Sequence, residues 1–132
     1  MTAIGNDFDV EIQRQIEKLK RGNTMQIGEA LGYFQGTFIP ELTSNEKLIG
    51  LLGYWCEGFI RALKNQHISP AYSEQVLLVL ATDFPIQMFE SEVRSYYVNA
   101  PPVDRLAMLH MLGDEKTPEK LRGIIESLKT MK

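Results

Sequence analysis

Ser44 to Gln66 is the most apolar long stretch of the chain, and it limits the fold more than any other feature. Leu48, Leu52, Trp55, Phe59 and Leu63 recur at steps of four, three, four and four, the spacing of one face of an α-helix. Leu51, Tyr54, Cys56, Ile60 and Ala62 fill much of the remaining circumference, leaving a narrow polar strip of Lys47, Glu57, Arg61 and Lys64. A helix that is apolar on most sides belongs inside a domain. The spacing therefore predicts a central buried helix over about 43–66. Thr43 with Glu46 three positions on has the form of a capping box, and Ser69-Pro70 marks the end.

The same face is written once before. Residues 31–42 and 52–63 share Leu, Gly and Tyr at their starts, then Phe-Ile, then Leu, which is six identities in twelve positions. In a chain this rich in Leu, Gly and aromatics such a match arises by chance about once, so it is read as shared geometry rather than as a repeat. Ile27, Leu31, Phe34, Phe38 and Leu42 repeat the stripe of the central helix, and 40–45 supplies a reversal. Two antiparallel helices packed face to face are expected. Thr24 is placed as the cap of the first of these, over about 25–39, and Gly28, Gly32 and Gly36 form a stripe that would admit a close neighbour.

The rest of the chain also reads as helix. Residues 1–6 read as a loose tail, and 7–21 as an amphipathic helix with Phe8, Ile12, Ile16 and Leu19 on one face and Lys18, Lys20 and Arg21 in its last turn, where the dipole favours them. Ser69-Pro70 opens another helix through the apolar run 76–81. Helical spacing returns over 86–97, 103–112 and from Thr117-Pro118-Glu119 onward, where Leu121, Ile124 or Ile125, and Leu128 form the stripe. The expectation is an all-α fold, a single compact helical bundle of about six to seven helices forming one domain over 1–132. No apolar run is long enough to span a bilayer.

Charge is unevenly placed. The net charge is −3, yet residues 22–93 hold eight acids against three bases, and 65–93 contain no Lys or Arg. An acidic middle disfavours a phosphate backbone and favours a basic protein partner. Glu74, Asp83, Glu90 and Glu92 are the candidate contacts, joined by Tyr96 and Tyr97 because adjacent tyrosines on a helix cannot both point inward. One cysteine, Cys56, excludes an internal disulfide and reads as a buried reduced thiol. With no apolar signal region at the start, the expected address is cytoplasmic. No Cys or His cluster has metal spacing and no glycine loop is placed to hold phosphate, so neither metal nor cofactor is expected.

Two segments resemble known families. Gln26 to Tyr33 resembles the opening of the helix-turn-helix of bacterial repressors, which implies a turn near Gly32 and DNA binding. Pro40 would then lie inside the recognition helix, and 32–42 carry no Lys or Arg to meet phosphate or guanine. Arg105 followed by His110 is similar to the active-site signature of the HEPN family, all-helical domains of about this size, many of which cut RNA. That resemblance implies work at the 2′-hydroxyl and scissile phosphate across a dimer, with imidazole moving the proton and guanidinium holding the phosphate. The residue after the arginine, usually polar in that family, is Leu106 here, and Arg61 with His67 fits the same loose spacing.

These readings rank functions without naming one. The leading expectation is a small acidic cytoplasmic protein-binding module of the inhibitor, immunity, antitoxin or adaptor type, with no catalysis of its own. Its partner would be another protein, a basic one by charge, with a homodimer as the other open state and no membrane association. The alternative is a HEPN-like RNA-cleaving domain using Arg105 and His110. A helix-turn-helix regulator comes third.

Overall fold

The computed structural model describes residues 3–130, with side chains from residue 9 onward; Phe8 of the first stripe and residues 1 and 2 of the expected tail lie outside this set. The fold is all-α. Among the described residues there are eight α-helical segments, α1 (Ala3–Arg21), α2 (Thr24–Tyr33), α3 (Ile39–Leu42), α4 (Leu52–Leu63), α5 (Pro70–Asp83), α6 (Glu90–Asn99), α7 (Pro102–His110) and α8 (Glu119–Lys129), with short 3-10 turns before α4, α6 and α8, and no strand. A π-helical turn, Phe34–Phe38, joins α2 to α3 without a break, so the eight segments make seven rods. The sequence reading takes 1–132 as one domain; the contacts divide the chain into two compact units, Met1–Ile68 and Ser69–Lys132.

In the first unit, α2 runs antiparallel to α1, as the Lys18–Glu29 ion pair at 3.2 Å shows. Lys20 meets Glu57 at 3.6 Å, and the Asn65 amide donates to the Leu19 and Gly22 carbonyls, so α4 runs parallel to α1. The core between them is aromatic. Trp55, fully buried, lies 4.9 Å from Phe34, 5.3 Å from Phe38 and 5.8 Å from Phe59 between ring centroids. Each such pair adds about 0.5–1.5 kcal/mol beyond the area it buries. Trp55 Nε1 and Gln15 Oε1 are buried without a hydrogen-bond partner among the described residues. Each such atom costs about 1–3 kcal/mol, which the packing of the rings offsets.

Several local expectations are corrected. Thr24 does not cap α2. Asn23 does, accepting from the Gln26 amide at 2.9 Å while the Gln26 side chain accepts from the Asn23 amide, and the Thr24 hydroxyl bonds the His67 carbonyl instead. Helix continues through Pro40 rather than reversing there. Proline has no N–H for the Gly36 carbonyl, and its ring would press on it. The wide turn just before it, in which the Ile39 amide reaches back to the Phe34 carbonyl, relieves that clash. The central helix begins at Leu52, not 43, and is led by a 3-10 turn, Glu46–Leu51. The Thr43 hydroxyl donates to the Pro40 carbonyl at 2.7 Å and closes the previous helix, while Asn45, in extended backbone, caps the turn through the Lys47 amide at 3.1 Å.

At two of its three positions the glycine stripe is likewise not a packing face. A Cβ at Gly32 or Gly36 would meet nothing within 4 Å. The close approach of another helix is at Gly58, where a Cβ would stand 3.1 Å from Ile16 Cγ2 and 3.3 Å from Leu19 Cδ1. This small residue lets α1 lie tightly along α4.

In the second unit, α5 starts as its residues dictate, with the Ser69 hydroxyl accepting from the Tyr72 amide at 3.2 Å and Pro70 in the first turn. Its apolar run is buried at Val76, Leu77, Val79, Leu80 and Ala81. The helix expected from 86 begins as a 3-10 turn, Ile86–Met88, and becomes α-helical at Glu90. The stripe Leu121, Ile124, Ile125 and Leu128 buries α8.

Gly53 and Gly58 separate the two roles of glycine. Gly53→Ala, in open space on α4, is expected to stabilise by about 0.5–1 kcal/mol. Gly58→Val should cost about 1–3 kcal/mol through overpacking against Ile16 and Leu19. Urea unfolding followed by Trp55 fluorescence reads both, and equal effects at the two sites would contradict the packing described.

Candidate functional site

Three cations of the second unit are tied to its own side chains and carbonyls. Arg94 holds Glu90 through two nitrogens, at 2.8 and 3.1 Å, and reaches Ser127 at 3.0 Å, fastening α6 to α8. Arg122 donates to the Thr117, Leu112 and Asp114 carbonyls, gathering the loop before α8. Lys120 donates to the Phe84 carbonyl at 3.0 Å. Cations spent on carbonyls do not neutralise nearby acids.

Two acids are left in that position. Glu74 on α5 is exposed and Asp104 in the first turn of α7 is half-buried, and neither is held by a cation among the described residues. Both stand at a small crevice floored by Leu77, Met108 and Met111 and bordered by Tyr96. The Ser73 hydroxyl hydrogen-bonds the Tyr96 phenol. Burial, partly opposed by that bond, raises the phenol above its ordinary pKa, and the Asp104 charge raises it further, so Tyr96 stays neutral. Three helices and the turn after α7 thus bring two carboxylates and a phenol to one apolar notch.

The other expected site residues fall elsewhere. Glu90 is tied to Arg94 and Glu92 is half-buried and engaged, both in the first turn of α6, where the helix dipole favours acids. Asp83 ends α5 and is half-buried. Tyr97 is half-buried beside Tyr96, but only Tyr96 borders the crevice. Of the six, then, Glu74 and Tyr96 come together. Asp104, Met108 and Met111 were missed, although their steps of four and three place them on one helical face; no partner for that face is visible in the linear chain.

The first unit carries a larger open groove, about 460 Å³, floored by Ile12, Ile16, Leu51 and Tyr54. On its rim Glu17 pairs with Lys20 and Arg21 at 4.0 and 3.5 Å, Lys20 also meets Glu57, and Asp9 is exposed. Cys56 is buried, and burial pushes its thiol up to about 11, so it stays protonated at neutral pH. Arg105 is half-buried and His110 exposed on α7. Residues 24–42 are helical throughout, so the turn that the repressor resemblance implies near Gly32 is replaced by helix. Among the described residues no three His, Cys, Asp or Glu side chains gather as a metal site would need, and no helix is long and apolar enough to cross a membrane. Comparison of the chain with protein-family models, curated proteins and solved structures returns no match.

Burial also raises the Asp83 carboxyl above its ordinary value. A carboxyl that holds its proton more tightly folded than unfolded favours the fold while protonated, and that contribution is lost as pH rises through its folded pKa. Wild-type stability is therefore expected to fall relative to Asp83→Asn as pH climbs out of the ordinary carboxylate range, the two converging in stronger acid. Melting temperatures from about pH 3 to 7 measure this; parallel profiles would contradict it.

Proposed function

We propose that this is a cytoplasmic protein-binding module, of the inhibitor, immunity, antitoxin or adaptor kind, that meets a basic partner through its second unit. The observation that carries the reading is the pairing of Glu74 and Asp104, two carboxylates without a neutralising cation, over the apolar floor of Leu77, Met108 and Met111. Apolar contact supplies affinity and the charge selects the partner. The groove between α1 and α4 is bigger, but Lys20 stands on its rim among the acids, whereas no cation is among the residues that line the crevice.

Native mass spectrometry of the tagged protein, recovered gently from its own cells, is expected to show a stoichiometric protein partner. Charge reversal by Glu74→Lys with Asp104→Lys should abolish its capture. Because Asp104 lies in the first turn of α7, where the helix dipole favours an acid, that variant is expected to melt somewhat lower, and Glu74→Lys alone, at an exposed position, should weaken capture with the melting temperature near that of wild type. A partner retained by the double variant would remove the crevice from the reading, and a bare homodimer would remove the basic partner.

A second reading keeps one requirement met. His110 is exposed, so it could reach an RNA backbone alongside Arg105 in a HEPN-like active site. Ribonuclease activity that disappears in His110→Ala would establish that reading in place of the first.

A further inference from the structure

The groove of the first unit is complementary to itself when reversed. Its α1 side runs Asp9, Ile12, Gln13, Ile16, Glu17 and Lys20, a set centred between Arg14 and Gln15. The acid at one end, Asp9, is exposed and meets no cation among the described residues; the base at the other end is Lys20. Turned end for end about that centre, α1 sets Asp9 opposite Lys20 and Gln13 opposite Ile16. Charges that match in this way satisfy the requirement of a twofold contact, in which the same patch serves both copies.

The apolar part of the face lies at the same height. α4 runs parallel to α1 with Gly58 against Ile16 and Leu19, so Tyr54, one turn earlier, is level with the centre of the α1 set. Ile12 and Ile16 beneath it are already buried, and the area left to cover belongs to Tyr54, 61% exposed, to half-buried Leu51 and to exposed Val10, which shares its side of α1 with Gln13 and Glu17. A twofold axis along the rods would instead set Lys20 level with the partner's Arg61, a like charge. Charge therefore selects the antiparallel arrangement.

We infer that this groove is the contact between two copies of the chain, α1 lying antiparallel to its counterpart, with Asp9 of each protomer against the partner's Lys20 and the two Tyr54 rings meeting at the axis. Asp9 to Lys20 spans about 17 Å of helix at 1.5 Å per residue, a short face, so the pairing is reversible. The inference goes beyond the proposed function and does not rest on it, since the crevice belongs to the other unit.

Sedimentation equilibrium of the purified chain from about 10 µM to 1 mM tests it. The mass is expected to rise with concentration from 15.0 kDa toward twice that value, and a chain that stays at 15.0 kDa throughout would overturn the inference. Asp9→Lys and Lys20→Glu each set like charges together at both symmetric contacts and should weaken the dimer about tenfold. Mixing the two variants should restore association, because the mixed pair has opposite charges at both contacts. Tyr54→Glu is expected to give monomer, with Trp55 fluorescence reporting that the core is kept. Should Lys20→Glu fail to fold, having lost its pairs with Glu17 and Glu57, Asp9→Lys and Tyr54→Glu decide the matter at exposed positions. A dimer unchanged in either of those, or a mixture no stronger than its components, would overturn the inference.

Discussion

Trp55 against Phe34, Phe38 and Phe59 is the contact on which residues 1–68 depend. The rings come from two antiparallel helices and leave no room for water, and their burial outweighs two buried polar atoms, Trp55 Nε1 and Gln15 Oε1, that find no partner among the described residues. Other features of the unit follow from that layer. The π turn at 34–38 sets Phe34 and Phe38 in a stack with centroids 5.5 Å apart while the helix carries Pro40. Gly58 lies one turn beyond Trp55, so α1 can close against α4 beside the same layer.

Residues 69–132 are held differently. Polar clamps supplement a modest apolar core: Arg94 to Glu90 and Ser127, Lys120 to the Phe84 carbonyl, Arg122 to three carbonyls, and the Thr117 hydroxyl to the Met111 carbonyl at 2.7 Å. The Lys120, Arg122 and Thr117 clamps satisfy carbonyls of helix ends and loops that would otherwise be orphaned, while Arg94 joins α6 to α8 through side chains. The same use of cations explains the electrostatics of the surface. With Arg94, Lys120 and Arg122 directed at carbonyls or at side chains of α6 and α8, none of the three reaches Glu74 or Asp104, and the proposed function grows from those two charges.

Periodicity made the rods legible. The stripes at Ile12, Ile16 and Leu19, at Trp55, Phe59 and Leu63, and at Leu121, Ile124 and Leu128 are all buried, because a face that must leave water repeats with the helix itself. Helix ends were read less well, since a Thr and a neighbouring Asn compete for the same cap. Asn23 and Asn45 won over Thr24 and Thr43, whose hydroxyls turned to the carbonyls of His67 and Pro40. Glycines at period four looked like a packing face, yet Gly32 and Gly36 stand in open space and the glycine approached by another helix is Gly58, which only its neighbours on that helix reveal. For the crevice, Glu74 and Tyr96 were legible from charge and from the tyrosine pair. Asp104, Met108 and Met111 were not, because what gives them a role is a meeting of α5, α6 and α7 across sequence distance.

Hydrogen–deuterium exchange of the complex recovered with its natural partner tests the central claim most directly. The account predicts that added protection falls on 70–77, 93–99 and 102–111, the stretches that build the crevice, while 9–20 and 46–63 exchange as in the free protein. Added protection over 9–20 and 46–54, with the crevice unchanged, would place the partner in the α1–α4 groove and contradict the account.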